Sequence, residues 1–331
     1  MDNKLLHTPE GFRDIYGEEL RMKLELTLKL LDMLHEYGYK DIATPSVEFF
    51  DVFSSRIGTT PSKELYKFFD KEGNTLVLRP DFTPSIARCA AKYYMEAEEP
   101  LRFCYYGNTF INSSDLQGRL KESTQIGAEL INDGSFQADA EIILMMIEVL
   151  KRSGLSEFQI TVGNVEYFKG LCDEFSITGD AELSLREMIS NKNFFGASEI
   201  MDELSIPSSS KKLILRISDL FGSIEKISLA KSEVSNERSL TALERLESIY
   251  GIIEKKGLQD YITFDLSVLS KYHYYTGIIV DAYTYGTGDA VIKGGRYDHL
   301  LSEFGKKAPA VGFAVMADRL ITVLRRYLFE G

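Results

Sequence analysis

An α+β fold, an antiparallel sheet with helices packed on it, is what this sequence predicts. Three observations predict it. Strand-like runs come in neighbouring pairs joined by polar or glycine-containing turns, as hairpins are, rather than by the long crossovers that parallel strands need. Amphipathic helical stripes are grouped between those runs instead of alternating with them. Over residues 164–260 the texture turns helical throughout, broken by polar clusters such as SNKN and SIPSSSKK, which marks a separate helical insertion. The chain then divides into 1–163 with 261–331 as one body and 164–260 as the insertion.

Taken in order, residues 19–37 place Leu20, Leu24, Leu28, Leu31 and Leu34 at helical spacing among charges, and Gly38 ends that helix. IATPSVEFF follows; Pro45 cannot donate to a ladder, so this strand belongs at an edge or an interface. TLVLR at 75–79 is a short strand stopped by Pro80, and a helix begins near Thr83. Residues 102–107 and 125–131 are two strands joined by the polar loop SSDLQGR. The stripe Ile143, Met146, Ile147 and Leu150 makes 138–151 a core helix, and Phe158, Ile160 and Val162 alternate as in a half-buried strand. Strand character returns at 261–269. A long hairpin follows, 277–285 turning at 286–289 into 290–293, and a last helix spans about 315–327. Gly294, Gly295 and the GTGDA run fit no phosphate loop and are read as turn glycines. Arg325 and Arg326 are expected to cap the last helix against its dipole.

The 331 residues allow one large domain or two ordinary ones, each with a core. A net charge of −12 works against a polyanion-binding surface, which needs clustered cations. The three cysteines, Cys89, Cys104 and Cys172, form no CxxC pair and are expected to be free thiols of a reducing cytoplasm. The four histidines show no metal-ligand spacing, so no metal and no cofactor is expected. MDNKLLHTPEGF lacks the apolar segment of a signal peptide, and no run approaches the roughly 18 apolar residues of a membrane span. A cytoplasmic protein is expected.

Several segments resemble a class II aminoacyl-tRNA synthetase of the histidyl type, and together they run from end to end. PEGFRDIYGEELR resembles its opening segment. The first helix with Pro45 resembles the first class II motif, which builds a dimer interface in that family. ELYKFFDKEGNTLVLRPDFTPSIAR begins the histidine pocket, and YYGNTFINSSDLQGRLKESTQIGAEL is laid out as the second motif. KYHYYTG and GGRYDHL match two histidyl-specific stretches, and PAVGFAVMADRL resembles the third motif.

By that resemblance, Asp81 stands where a Glu binds the ligand α-amino group, with Thr83 and Gln125 assisting. Glu129 would accept a hydrogen bond from the imidazole. Tyr274 and Tyr275 would line the ring site, with Tyr297 nearby. The residue types suit such a ligand, since carboxylates match an ammonium and an imidazolium, and phenols offer a flat face with a polar tip. The adenylation side departs from the family. Ile111 replaces the arginine that grips the α-phosphate and the histidine carboxylate, with Ser113 where an acidic residue follows. Ser270 replaces a histidyl-specific arginine. A guanidinium stabilises the charge that builds on the α-phosphate, and losing one such donor costs roughly 10²–10³ in rate. Arg319 of the third motif is kept, while Met316 takes a glycine position beside the adenine space. The chain ends at Gly331, before the anticodon-binding domain a synthetase would carry, and tRNA binding is not expected.

This combination resembles the regulatory subunits of ATP phosphoribosyltransferase, synthetase-like chains that pair with a short-form catalytic subunit in the first step of histidine biosynthesis. HYYTG, in place of an LDYYN-type stretch, fits that family. The resemblance implies a non-catalytic subunit that self-associates as a dimer, activates its catalytic partner and mediates feedback by L-histidine. The alternatives are a synthetase-like enzyme activating histidine for tRNA or another acceptor, and a tRNA-binding module. The insertion has no role legible in its residues.

Overall fold

The structure, a computed structural model, describes residues 4–54, 60–112, 120–269 and 274–330. The chain begins with α1 (Gly17–Glu36), whose first turn carries Glu18 and Glu19, favourable at the positive end of a helix dipole. After Gly38 turns the chain in the left-handed region come β1 (Lys40–Asp41) and β2 (Val47–Phe49), split at Pro45 as expected. Next are β3 (Lys67–Phe69), β4 (Thr75–Leu78) and α2 (Thr83–Tyr93), with Pro84 in its first turn. β5 (Leu101–Phe110) and β6 (Glu122–Ile131) form a ten-residue hairpin ladder, longer than its sequence pattern. α3 (Phe136–Arg152) is capped by Ser135, which accepts from the Ala138 amide at 3.2 Å. β7 (Phe158–Asn164) follows.

Residues 164–260 hold α4 (Val165–Glu174), α5 (Asp180–Ser190), α6 (Phe194–Glu203), α7 (Ser208–Leu215), the short β8 (Phe221–Gly222), α8 (Glu225–Glu233) and α9 (Glu237–Lys255). The chain returns through β9 (Ile262–Asp265), β10 (Ile278–Thr284), β11 (Ile292–Arg296), β12 (Ala310–Met316) and α10 (Ala317–Glu330).

Nine strands make one sheet in the order β1-β5-β6-β12-β11-β10-β7-β9-β8, and β2-β4-β3 make a second. The large sheet is antiparallel through its central strands and parallel at two outer pairs, β1 with β5 and β7 with β9. It is therefore mixed, because both outer strands arrive through helical connections that permit parallel pairing. The α3 stripe Ile143, Met146, Ile147 and Leu150 is fully buried against one sheet face, and the insertion helices continue the same hydrophobic core. Among the described residues no helix is long and apolar enough to cross a membrane.

Two expectations need correction. In α1 the buried side is Leu26, Leu30, Leu31, Met33 and Leu34, while Leu24 and Leu28 are 55% and 62% exposed. Steps of four residues advance about 40° around the helix, so the series Leu20, Leu24, Leu28 drifts off the core face. Residues 310–316 are a strand, so α10 starts at Ala317 rather than near Val315. AVGFAVM is central, with one face in the core and the other over a cavity, and a run without polar residues has no alternation to separate it from a buried helix.

Candidate functional site

Period-2 alternation divides β6 between two environments. Ile126, Ala128 and Leu130 enter the core shared with α3, while Gln125, Gly127 and Glu129 face the opposite side, over a cavity of about 1380 Å³. Its lining brings together Asp81, Thr83, Gln125, Glu129, Tyr274, Tyr275 and Tyr297, seven residues spread over more than two hundred positions of sequence. Ile111 lines it too. Ser270 and Ser113 lie outside the described residues.

The floor is made of glycines. Gly312 pairs with Glu129 across β12 and β6, and a Cβ there would fall 1.7 Å from Glu129 Oε2. Gly295 pairs with Gly312, and a Cβ there would meet the Tyr275 ring at 2.6 Å. Gly127, opposite Tyr105, leaves room for that ring, whose hydroxyl would lie 2.4 Å from an added Cβ. Gly294 and Gly295 are thus strand residues, not turn glycines: the backbone there must pass close beneath side chains from other strands. Only the GTGDA segment lies in the β10–β11 connection as expected.

Glu129 is a buried carboxyl of the lining. It is 1% exposed; Thr83 Oγ1 donates to its Oε1 at 2.7 Å and the Tyr297 hydroxyl donates to its Oε2. Burial pushes its pKa up to about 8, against the pull of the Tyr297 and Thr83 hydrogen bonds, and the nearby Asp81 charge adds to the rise. Tyr274 and Tyr275 have ring centroids 4.4 Å apart, and Tyr274 meets Tyr297 edge-on at 6.1 Å. Asp81 Oδ1 accepts from the Phe82 amide at 2.7 Å at the start of α2. Gln125 Oε1 and the Tyr105 hydroxyl are buried without a hydrogen-bond partner among the described residues. Buried polar atoms are rarely left so, and Gln125 lines the cavity, where a polar ligand would complete its Oε1.

Tyr105 was missed by sequence reasoning, although it lies in the quoted YYGNTF run. It stacks on Phe82 at 4.4 Å, and Phe82 carries the Arg79 guanidinium on its ring at 3.8 Å. Arg79 is itself fixed by the Asn108 carbonyl at 2.8 Å and the Thr44 carbonyl at 2.7 Å. A second missed element positions Tyr297. Its neighbour Arg296, 2% exposed, donates from Nε to Asp139 Oδ1 at 2.8 Å and pairs with Asp298 at 3.0 Å. Asp139 Oδ2 also accepts from Arg245 of α9 at 2.5 Å. One buried carboxylate thus joins α3, β11 and the insertion.

Ile111 contributes an apolar side chain to the lining. Arg319 donates to the Ala290 carbonyl at 2.9 Å and faces Asp289 at 3.4 Å, and Met316 Sδ lies 4.0 Å from Gln125 Nε2. Arg325 and Arg326 do not serve as a helix cap: Arg325 pairs with Glu19 at 3.0 Å and Arg326 donates to the Gly286 carbonyl at 2.7 Å. Both tie the helix back to neighbouring elements, because α10 runs on to Glu330.

A mixed sheet with β6 and β12, the strands of the second and third motifs, side by side over a deep pocket is the architecture of a class II synthetase-like protein. The sequence profile of the histidyl-tRNA synthetase family matches residues 11–320. The chain is 39% identical over 321 residues to the ATP phosphoribosyltransferase regulatory subunit of Ruminiclostridium cellulolyticum, covering 97% of this chain and 77% of that one. It is 40% identical over 325 residues to the protein of the same name from Acetivibrio thermocellus, covering 98% and 78%. The crystal structure of an ATP phosphoribosyltransferase regulatory subunit/histidyl-tRNA synthetase from Bacillus halodurans superposes with a TM-score of 0.89 at 34% identity, covering 96% and 83%. A histidine–tRNA ligase subunit from Alicyclobacillus acidocaldarius shares the fold, with a TM-score of 0.81 at 24% identity over 97% and 98% of the two chains. The chain belongs to the histidyl-tRNA synthetase-like family of ATP phosphoribosyltransferase regulatory subunits.

Proposed function

We propose that this chain is the non-catalytic regulatory subunit that activates a short-form ATP phosphoribosyltransferase and carries its feedback by L-histidine. The observation that carries the reading is a pocket built at its ring end and stripped at its phosphate end. Glu129, held by Thr83 and Tyr297, presents a buried carboxylate to an imidazole. Asp81 and the unpartnered Gln125 Oε1 present acceptors to an ammonium. Ile111 gives adenylation nothing to stabilise its transition state with. The protein acts in the cytoplasm, without cofactor and without tRNA. Residues 164–260 are a helical insertion in a synthetase-like body formed by 1–163 and 261–331.

The test is phosphoribosyl-ATP formation by the short catalytic subunit, with and without this chain, across a histidine titration. A rate that rises on adding the chain and falls with histidine is expected. An unchanged rate overturns the reading. Histidine-dependent exchange of pyrophosphate into ATP would return the chain to the synthetases.

Self-association as a dimer is part of the same proposal. Leu20, Leu24 and Leu28 leave an apolar ridge on α1, outside the core and facing solvent in the single chain. Such a ridge on a 20-residue helix is costly unless a second surface covers it. The double variant Leu24→Glu with Leu28→Glu is expected to halve the mass seen by sedimentation while leaving the helical signal intact. A native mass in the variant removes α1 from the interface.

A further inference from the structure

Three metal-ligating side chains of different kinds meet on the side of the sheet away from the pocket. His35 comes from the last turn of α1, Asp41 from β1 and Cys104 from β5. The left-handed turn at Gly38 folds the chain back so that β1 runs beside the end of α1. Asp41 and Cys104 are direct partners in the parallel ladder, and the Ile42 amide locks that register on the Cys104 carbonyl at 2.9 Å. Cys104 alternates with Phe103 and Tyr105, which pack with Phe82 and Ile86 on the opposite sheet face, so its thiol points into the core shared with α1.

The ligand atoms are already close to a coordination polyhedron. His35 Nε2 is 3.0 Å from Asp41 Oδ1, Cys104 Sγ is 3.6 Å from the same oxygen, and all three lie within 4.8 Å of one another. Tetrahedral zinc with its usual bond lengths puts N and O about 3.3 Å apart and S and O about 3.5 Å apart. We infer that His35, Asp41 and Cys104 form a zinc-class divalent metal site, with water at the fourth position. Thiolate and imidazole select zinc over magnesium or calcium. His35 and Asp41 are exposed, which leaves an entry path, and the buried sulfur closes the inner side. Sequence spacing hides the set, because its members come from three elements.

Bound there, the ion clamps the C-terminal end of α1 to the sheet edge. The metal-free alternative is two hydrogen bonds to one oxygen, from His35 Nε2 and from the Cys104 thiol to Asp41 Oδ1, and cobalt titration separates the two. The site stands apart from the proposed function and survives its failure.

The test is cobalt titration of the untagged, chelator-treated full chain. The expected result is one equivalent of cobalt giving a thiolate-to-metal charge-transfer band, displaced by zinc and absent from Cys104→Ser. His35→Ala should weaken zinc binding by more than about tenfold, the loss that even an outer partner's removal brings. Because His35 is at the surface, that variant keeps the test decisive should Cys104→Ser fail to fold. No band, a band that persists in Cys104→Ser, or zinc affinity unchanged in His35→Ala overturns the site.

Discussion

Glu129→Gln is expected to weaken histidine binding by about 10- to 100-fold, the value of a charge-assisted hydrogen bond at roughly 1.5–3 kcal/mol. The substitution keeps the size of the side chain and one acceptor oxygen. The second hydroxyl of the Thr83 and Tyr297 pair must turn to accept from the new amide, so the loss reports the second carboxylate oxygen and its charge. Its pH dependence is distinctive. A carboxyl with pKa about 8 and an imidazole with pKa near 6.5 share one proton when they pair, whichever holds it. Between those values the separated partners also hold one proton, on Glu129. Below about 6.5 they hold two and above about 8 none, so affinity should peak between and fall on both sides. Calorimetry across pH should show this bell in the parent chain, and the alkaline limb should vanish in Glu129→Gln. Unchanged affinity in the variant would move histidine sensing to the catalytic partner or to the subunit interface.

The same carboxyl has a stability signature. Its pKa is raised from an ordinary glutamate value near 4.3 to about 8, so between those values the folded chain binds more protons than the unfolded one. Stability therefore falls as pH rises through that window, and the cost is complete above about 8. Glu129→Gln should melt higher than the parent at pH 8 and equally at pH 4, a difference on the order of a few kcal/mol. A pocket that loses ligand and gains stability by one substitution holds its buried acid for binding rather than for folding.

The sequence carried the hairpins of this fold because their alternation is local: β5 with β6 and β10 with β11 stand where the pattern placed them. It also named the seven pocket side chains that the structure gathers into one cavity, through their resemblance to known motifs. What stayed hidden is what depends on distant partners. Gly295 looks like a turn residue until Tyr275 is placed above it. The i, i+4 leucines of α1 look like core until the helix turns them outward. Tyr105 in a strand of aromatics gives no sign that its hydroxyl ends buried and unpartnered. Asp139 lies within a strong apolar stripe, where a carboxylate would ordinarily be taken as solvent-facing, and only the fold brings Arg296 and Arg245 to it.

That carboxylate supports the other large prediction. Asp139→Ala takes the shared carboxylate from two guanidiniums, and the almost wholly buried Arg296 is left with Asp298 alone. Breaking a buried pair from one side costs about 3–5 kcal/mol, because the remaining charge is stranded rather than removed. The urea midpoint should drop accordingly, and a loss within about 1 kcal/mol would mean that the arginines reach solvent. Stability alone does not define the role of the node. Arg296 also holds Asp298, whose Oδ1 accepts from the Ala310 amide at 3.1 Å, and Tyr297 sits between them with its hydroxyl on Glu129. Replacing the pair with apolar side chains, Asp139→Leu with Arg296→Met, removes both charges and should recover much of the midpoint. Histidine affinity should stay low in that double variant, since Asp298 then loses its Arg296 partner and the backbone that carries Tyr297 is held by fewer contacts. A double variant that regains both would make the node an ordinary piece of the core; one that regains only the midpoint assigns it the placing of Tyr297 against the ligand.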